Sequence, residues 1–147
     1  MIDLEQTKKE AILFFEKLNF KAKLKKAKIE NETIILDFEV EDAENLVGET
    51  LFEIQHLLKA ILKKKTKENF YLDLDINDYK KKKIKYLQEL AKSVADEVAL
   101  TKKEKILDPM PAYERRIIHL ILAERPDVTT ESIGKEPNRR VVIKPYP

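Results

Sequence analysis

The sequence predicts an α+β protein built from two small units, and three observations predict it. Stretches with apolar residues at helical spacing alternate with short stretches in which every second residue is apolar, the pattern of helices laid on small sheets. The 147 residues suffice for one ordinary domain or two small ones, and a hydrophobic content of 43% is enough for packed cores. Near Asn77 a strand-like pattern gives way to a long helix with no Gly/Ser/Pro-rich tract between them, so this is a junction of packed units and not a flexible linker. The expected units are residues 1–77 and 78–147.

In the first unit, Leu4, Ala11, Ile12, Phe15 and Leu18 predict an amphipathic helix ending near Asn19. Phe20, Ala22 and Leu24 alternate with lysines as a first strand. Glu30, Asn31 and Glu32 form a polar turn. Ile34, Leu36, Phe38 and Val40 then alternate with Ile35, Asp37 and Glu39 as a half-buried strand, so the two strands read as a hairpin. Thr50 is placed to cap a helix with Leu51, Ile54, Leu57, Leu58, Ile61 and Leu62 along one face. Its last residues are Lys63, Lys64 and Lys65, where cations suit the helix C-terminus. Phe70, Leu72, Leu74 and Ile76 give a third strand. Helix, two strands, helix and strand make a three-stranded sheet covered by helices on one face.

In the second unit, Ile84, Leu87, Leu90, Ala91, Val94, Ala95 and Val98 predict a long helix with Lys80 to Lys83 and Lys85 on its first turns. Residues 101–107 read as a lysine-rich connection, and Pro109 and Pro111 open another helix. Two short strands follow, near Val128 to Ser132 and Arg139 to Ile143. There is no internal repeat.

Composition narrows the function. Without cysteine there is no disulfide, thiolate metal site or cysteine nucleophile. Charged residues make up 38% of the chain but the formal net charge is only +2, so any nucleic-acid site must come from clustering. No apolar run has signal-peptide or bilayer-spanning length, and the chain reads as cytoplasmic with no membrane insertion.

Clustering is strongest in the last third. Arg115 and His119 are four apart on a helical stretch, which puts both on one face. A guanidinium forks onto phosphate or stacks on a base, and an imidazole donates to phosphate or stacks. Arg116 points about 100° away and either joins that face or pairs with an acid such as Glu114 or Glu131. Lys135, Arg139 and Arg140 surround Gly134 and Pro137 in a turn leading into a strand. Arg139 and Arg140 must point to opposite sides, so at most one joins the Arg115 face directly. The lysine runs 63–65 and 80–83 read as solvated helix ends that add affinity without specificity. An isolated Arg-x-x-x-His spacing would mean little, because it recurs by chance in helices.

The ordered run Pro-Met-x-x-x-Glu-Arg-Arg-x-Ile-His from Pro109, followed by Thr-x-Ser-x-Gly-x-x-Pro-x-Arg-Arg-Val-Val-Ile from Thr130, resembles the R-3-H domain. It resembles more closely the bacterial Jag (SpoIIIJ-associated) family, which joins a KH domain to an R-3-H domain. The first unit's element order is similar to that KH domain. The resemblance implies a KH-like domain over 1–77 and a single-stranded nucleic-acid-binding R-3-H domain over 78–147, in a short form without the family's N-terminal domain. It also implies post-transcriptional regulation linked to cell elongation or division, with a small KH-domain partner protein or a homodimer.

One departure stands out. KH domains grip the nucleic-acid backbone with a Gly-x-x-Gly loop between two helices. Here the segment is Glu44-Asn45-Leu46-Val47-Gly48-Glu49-Thr50-Leu51, and the chain has only two glycines, Gly48 and Gly134. The loop is therefore shortened or degenerate, and Gly48 and Thr50 are what remains of the expected contact.

Nothing in the chain supports catalysis: there is no metal-binding His-Glu motif, phosphate-cradling glycine loop or nucleophile elbow. Glu114 and His119 lie about 140° apart around a helix, too far to share an acid/base site. The expectation is a non-enzymatic protein without cofactors that binds single-stranded RNA, or single-stranded DNA, through Arg115, Arg116, His119, Lys135, Arg139 and Arg140. The alternative is a protein-interaction or dimerisation module with incidental nucleic-acid binding.

Overall fold

A computed structural model describes residues 2–147 and divides the chain into two compact units, one running to Lys80 and the other comprising Lys81–Pro147. The first begins with α1 (Leu4–Lys17), started by the Asp3 carboxylate, which accepts from the backbone N–H of Glu5 at 3.0 Å and of Gln6 at 3.4 Å. Strands β1 (Ala22–Glu30) and β2 (Thr33–Val40) pair antiparallel, as the hairpin expectation required. Asn31 and Glu32 join them at φ 48° and 63°, the left-handed geometry that matches the twist of a tight hairpin. Phe20 lies outside the strand and packs against the edge of the core.

After a single 3₁₀ turn at Glu44–Leu46, helix α2 (Glu49–Thr66) carries the chain over the sheet so that β3 (Tyr71–Ile76) pairs parallel to β2. The strand order is β1-β2-β3. Residues 34, 36, 38 and 40 of β2 are buried beneath the helices, and Phe15 of α1 packs on Phe38 with ring centroids 4.6 Å apart. Leu51, Ile54, Leu58 and Leu62 of α2 join this core, whereas Leu57 is half exposed.

The start of α2 departs from expectation. Its cap is Gly48, with φ 76° and ψ −139°, and no side chain caps it. Thr50 lies within the first turn. The capping position takes a left-handed backbone that glycine reaches without strain and threonine does not.

Beyond β3, Asn77 accepts from the backbone N–H of Val40 at 2.9 Å and donates to its carbonyl at 3.1 Å, clamping the end of the sheet. The buried carboxylate of Asp75 accepts from the backbone N–H groups of Ile76 and Lys80, fixing the entry into α3 (Tyr79–Thr101).

In the second unit, Leu87, Ala91, Val94, Ala95 and Val98 of α3 pack with Ile118 and Leu122 of α4 (Ala112–Leu122). Beside them lies an antiparallel sheet of order β4-β6-β5, formed by β4 (Lys105–Ile106), β5 (Val128–Ile133) and β6 (Arg140–Pro145). The stretch expected to be a plain connection contains β4, which pairs Lys105 with Ile143 and Ile106 with Val142. It supplies partners to the backbone of β6, and the N–H of Leu107 continues the pairing to the Val141 carbonyl at 2.9 Å. Among the described residues no helix is long and apolar enough to cross a membrane.

Candidate nucleic-acid interface

Helix α4 begins after Pro111, whose missing N–H costs nothing at a helix start. One side of the helix is buried, and that side includes two charged residues, Glu114 and Arg115. Arg115 is 7% exposed. Its Nε donates to the Met110 carbonyl at 3.1 Å, and its guanidinium forms an ion pair with Glu136. The Met110 N–H donates to the Arg139 carbonyl at 3.3 Å, so the start of α4 and the 134–139 loop are tied together twice. The outward-facing Arg115 expected from helical spacing is thus turned into the fold, because the loop closes over it.

His119 lies one turn further on and is half-buried. Its Nδ1 is 2.7 Å from the Thr130 hydroxyl and its Nε2 is 2.8 Å from the Ser132 hydroxyl. Burial lowers its pKa below the ordinary histidine value, and the positive charges of Arg115 and Arg139 lower it further. The imidazole is therefore neutral near pH 7. Neither hydroxyl was singled out from the sequence. The signal was there: Val128, Thr130 and Ser132 alternate along β5 and so share the side facing α4.

Arg116 is exposed, and the acids expected as its partners are engaged elsewhere. Glu114 pairs with Lys83 at 3.1 Å and Glu131 with Lys144 at 2.6 Å. Arg116 and His119 are three apart on α4 and are neighbours on its surface. Lys135 is exposed at the tip of the loop. Arg139 donates to the Gly134 carbonyl at 2.7 Å, and Arg140, at the first position of β6, donates to the Asn138 carbonyl at 3.2 Å. Of these two, Arg139 is the one whose charge acts on His119. Among the described residues Arg116, Lys135, Arg139 and Arg140 have no carboxylate partner, whereas Arg125, for example, is held by both Asp96 and Asp127.

Gly134 makes the loop close. Its φ is 84°, and a Cβ there would lie 3.2 Å from the Asn138 carbonyl oxygen. The N–H of Asn138 donates to the Lys135 carbonyl at 2.8 Å, completing the turn that presents Lys135 and Arg139.

Gly48 and Thr50 belong to the first unit. Glu41, Asp42, Glu44 and Glu49 are exposed in the segment around Gly48, giving it a local negative charge. Among the described residues no group of three or more histidines and acids is arranged to hold a metal ion.

This unit, a helix pair on a three-stranded sheet with histidine and arginines gathered at one loop, belongs to a defined class: the R-3-H domain matches residues 85–145. The particular proteins the chain resembles carry the name RNA-binding protein KhpB. It is 38% identical over 96 residues to that of Lactiplantibacillus plantarum, covering 65% of this chain and 30% of the relative. The Clostridium symbiosum protein is also 38% identical over 96 residues, covering 65% of this chain and 43% of the relative. The Bacillus subtilis protein is 35% identical over 98 residues, covering 65% and 47%. The match thus spans less than half the length of each of these relatives. The resemblance read from the Arg-Arg-x-x-His and Gly-x-x-Pro-x-Arg-Arg motifs is borne out.

Proposed function

We propose that the chain is a non-catalytic RNA-binding protein whose R-3-H unit holds single-stranded RNA along the exposed side of α4 and the 134–139 loop. The observation that carries this reading is the set of cations without acid partners, Arg116, Lys135, Arg139 and Arg140, gathered about a neutral imidazole in a unit where other arginines and lysines are ion-paired. Phosphate oxygens supply the missing anions. The arginine planes and the imidazole edge offer stacking surfaces to unpaired bases, which suits single strands better than a duplex. Similarity to proteins named RNA-binding protein KhpB supports RNA as the ligand over single-stranded DNA.

In this reading Arg115 orders the loop and does not touch RNA. Gly48 and Thr50 contribute weakly, because the acids around them repel phosphate. The chain acts in the cytoplasm, and its resemblance to the Jag family supports a post-transcriptional role linked to cell elongation or division. A second reading, docking of another protein or a second copy, is favoured by one observation. A cleft of about 250 Å³ between α1 and α2 exposes Leu13, Leu18 and Leu57. The two readings use different units and are compatible.

The deciding experiment is fluorescence-anisotropy binding of a short single-stranded RNA at two salt concentrations, comparing the natural chain with an Arg116→Ala, Lys135→Ala, Arg139→Ala variant. RNA binding through this face requires the variant to lose affinity and to show a shallower salt dependence. Unchanged affinity in a folded variant moves the RNA site elsewhere.

A further inference from the structure

His119 sits between two hydroxyls, and the protons of that trio determine what it offers a ligand. A neutral imidazole has one N–H and one bare nitrogen, and a hydroxyl can donate one proton while accepting others. Whichever tautomer forms, the N–H donates to one hydroxyl, whose own proton is then free to point outward. The bare nitrogen consumes the proton of the other hydroxyl. The neutral trio therefore presents a single O–H to its surroundings. An imidazolium donates from both nitrogens, so both hydroxyls accept, both of their protons turn outward and a positive charge stands behind them.

Phosphodiester oxygens only accept hydrogen bonds, so they favour the second arrangement. We infer, resting on the RNA-binding reading above, that Thr130 and Ser132 are phosphate-contacting groups and that His119 is the positioning residue behind them, taking up a proton as RNA binds. The two hydroxyls are two residues apart on β5, so both lie on the side facing α4, and the 2.7 and 2.8 Å contacts fix them on opposite edges of the ring. Both residues are half-buried, with part of their surface open. Among the described residues neither hydroxyl has another side-chain partner.

The charges around the ring give the same direction. Arg115 and Arg116 come from α4, Arg139 from the residue preceding β6, and Lys135 and Glu136 from the loop, with Glu136 held by Arg115. On β5, Glu131 lies on the alternate side of the strand and is paired with Lys144. Arg115 and Arg139 keep the proton off His119 in the free protein. A phosphate seated between them offsets that charge and admits the proton.

The test is the pH dependence of binding to a labelled oligouridine, whose base does not take up a proton in the range used, at constant ionic strength between about pH 7.5 and about pH 5.5. The natural chain is expected to bind more tightly at the lower pH. Thr130→Val combined with Ser132→Ala should weaken binding about tenfold at the lower pH and flatten the profile. His119→Gln, which keeps one donor and one acceptor but cannot be charged, should flatten it too, and Ser132→Thr should restore it. Nitrogen chemical shifts of His119 should show its pKa rising when RNA is added. If the double variant fails to fold, Ser132→Ala and Thr130→Ser decide singly. An unchanged His119 pKa, or a hydroxyl-deleted variant that keeps the pH dependence, overturns the inference. When Arg116→Ala weakens binding and the hydroxyl deletions do not, the RNA-binding face stands and only this inference falls; when neither weakens binding, both fall.

Discussion

Arg115 is ion-paired with Glu136 and hydrogen-bonded through Nε to the Met110 carbonyl, so one guanidinium joins the segment before α4 to a loop 21 residues further along. The arginine of the Arg-x-x-x-His spacing is thereby a tie that shapes the site, while its neighbour Arg116 is the exposed cation. This division of labour separates stability from affinity.

Arg115→Ala should lower stability by about 1.5–3 kcal/mol, the usual cost of losing hydrogen bonds made by a charged group, read as a shift in the urea midpoint of the second unit. Arg115→Lys should not restore it, since an ammonium lacks the planar fork that reaches Met110 and Glu136 together. RNA affinity should fall as well, because the loop carrying Lys135 and Arg139 is released. Wild-type stability in Arg115→Ala would remove the tie from the account.

Arg116→Ala should do the reverse. The side chain is exposed and has no acid partner, so stability should stay within about 0.5 kcal/mol of the natural chain. Its loss should weaken RNA binding and reduce the slope of log K against log salt by about 0.7, the share of one phosphate on a single strand. A slope unchanged within error would exclude a phosphate contact.

The contrast between these two arginines marks where the sequence could be read. Period-2 burial in β2, with Ile34, Leu36, Phe38 and Val40 inward, and the Leu51, Ile54, Leu58, Leu62 face of α2 were both legible, because core-facing periodicity leaves a local trace. Glu136 as the partner of Arg115 was not, since the loop that brings it back is a tertiary event. The Gly48 cap was hidden because φ is not written in composition, and a threonine two residues on looked like the better cap. Strand β4 is two residues long, too short to show a period. Thr130 and Ser132 escaped because an inward-facing strand side carrying hydroxyls does not read as apolar alternation.

Gly48→Ala should place a side chain in left-handed backbone and cost about 1–3 kcal/mol in the first unit, visible as an earlier urea transition. RNA affinity, assigned to the second unit, should remain within about twofold, a difference of about 0.4 kcal/mol. A large loss of affinity in the still-folded variant would return the principal RNA contact to the Gly48 loop.

Gly134→Ala meets both obstacles at once, a φ of 84° and a backbone oxygen 3.2 Å from the new Cβ. The loop must open to relieve them, and about 1–3 kcal/mol of stability should be lost. Lys135 and Arg139 should be displaced with it, so affinity should fall even though no phosphate-contacting side chain has been removed. Amide hydrogen exchange of Asn138, whose N–H closes the turn on Lys135, should accelerate in the same variant. Unaltered exchange there would mean that the loop tolerates the added methyl.

The lowered pKa of His119 also sets a pH dependence of folding in the free protein, opposite in sign to that expected for RNA binding. In the unfolded chain the imidazole titrates at about 6.5; in the folded chain burial, Arg115 and Arg139 hold its pKa lower. Between those two values the unfolded state binds more protons, so the contribution of neutral His119 to stability is fully present above about pH 6.5 and is lost as pH falls toward the folded-state pKa. Acids titrate below this window, so His119→Gln should flatten the urea midpoint between about pH 7 and about pH 5.5 while leaving the acid limb unchanged. With saturating RNA the natural chain should show a weaker decline over the same range, because binding returns the proton's favourable site. A decline equally steep in the natural chain and in His119→Gln would assign the titration to another group and leave His119 with no part in it.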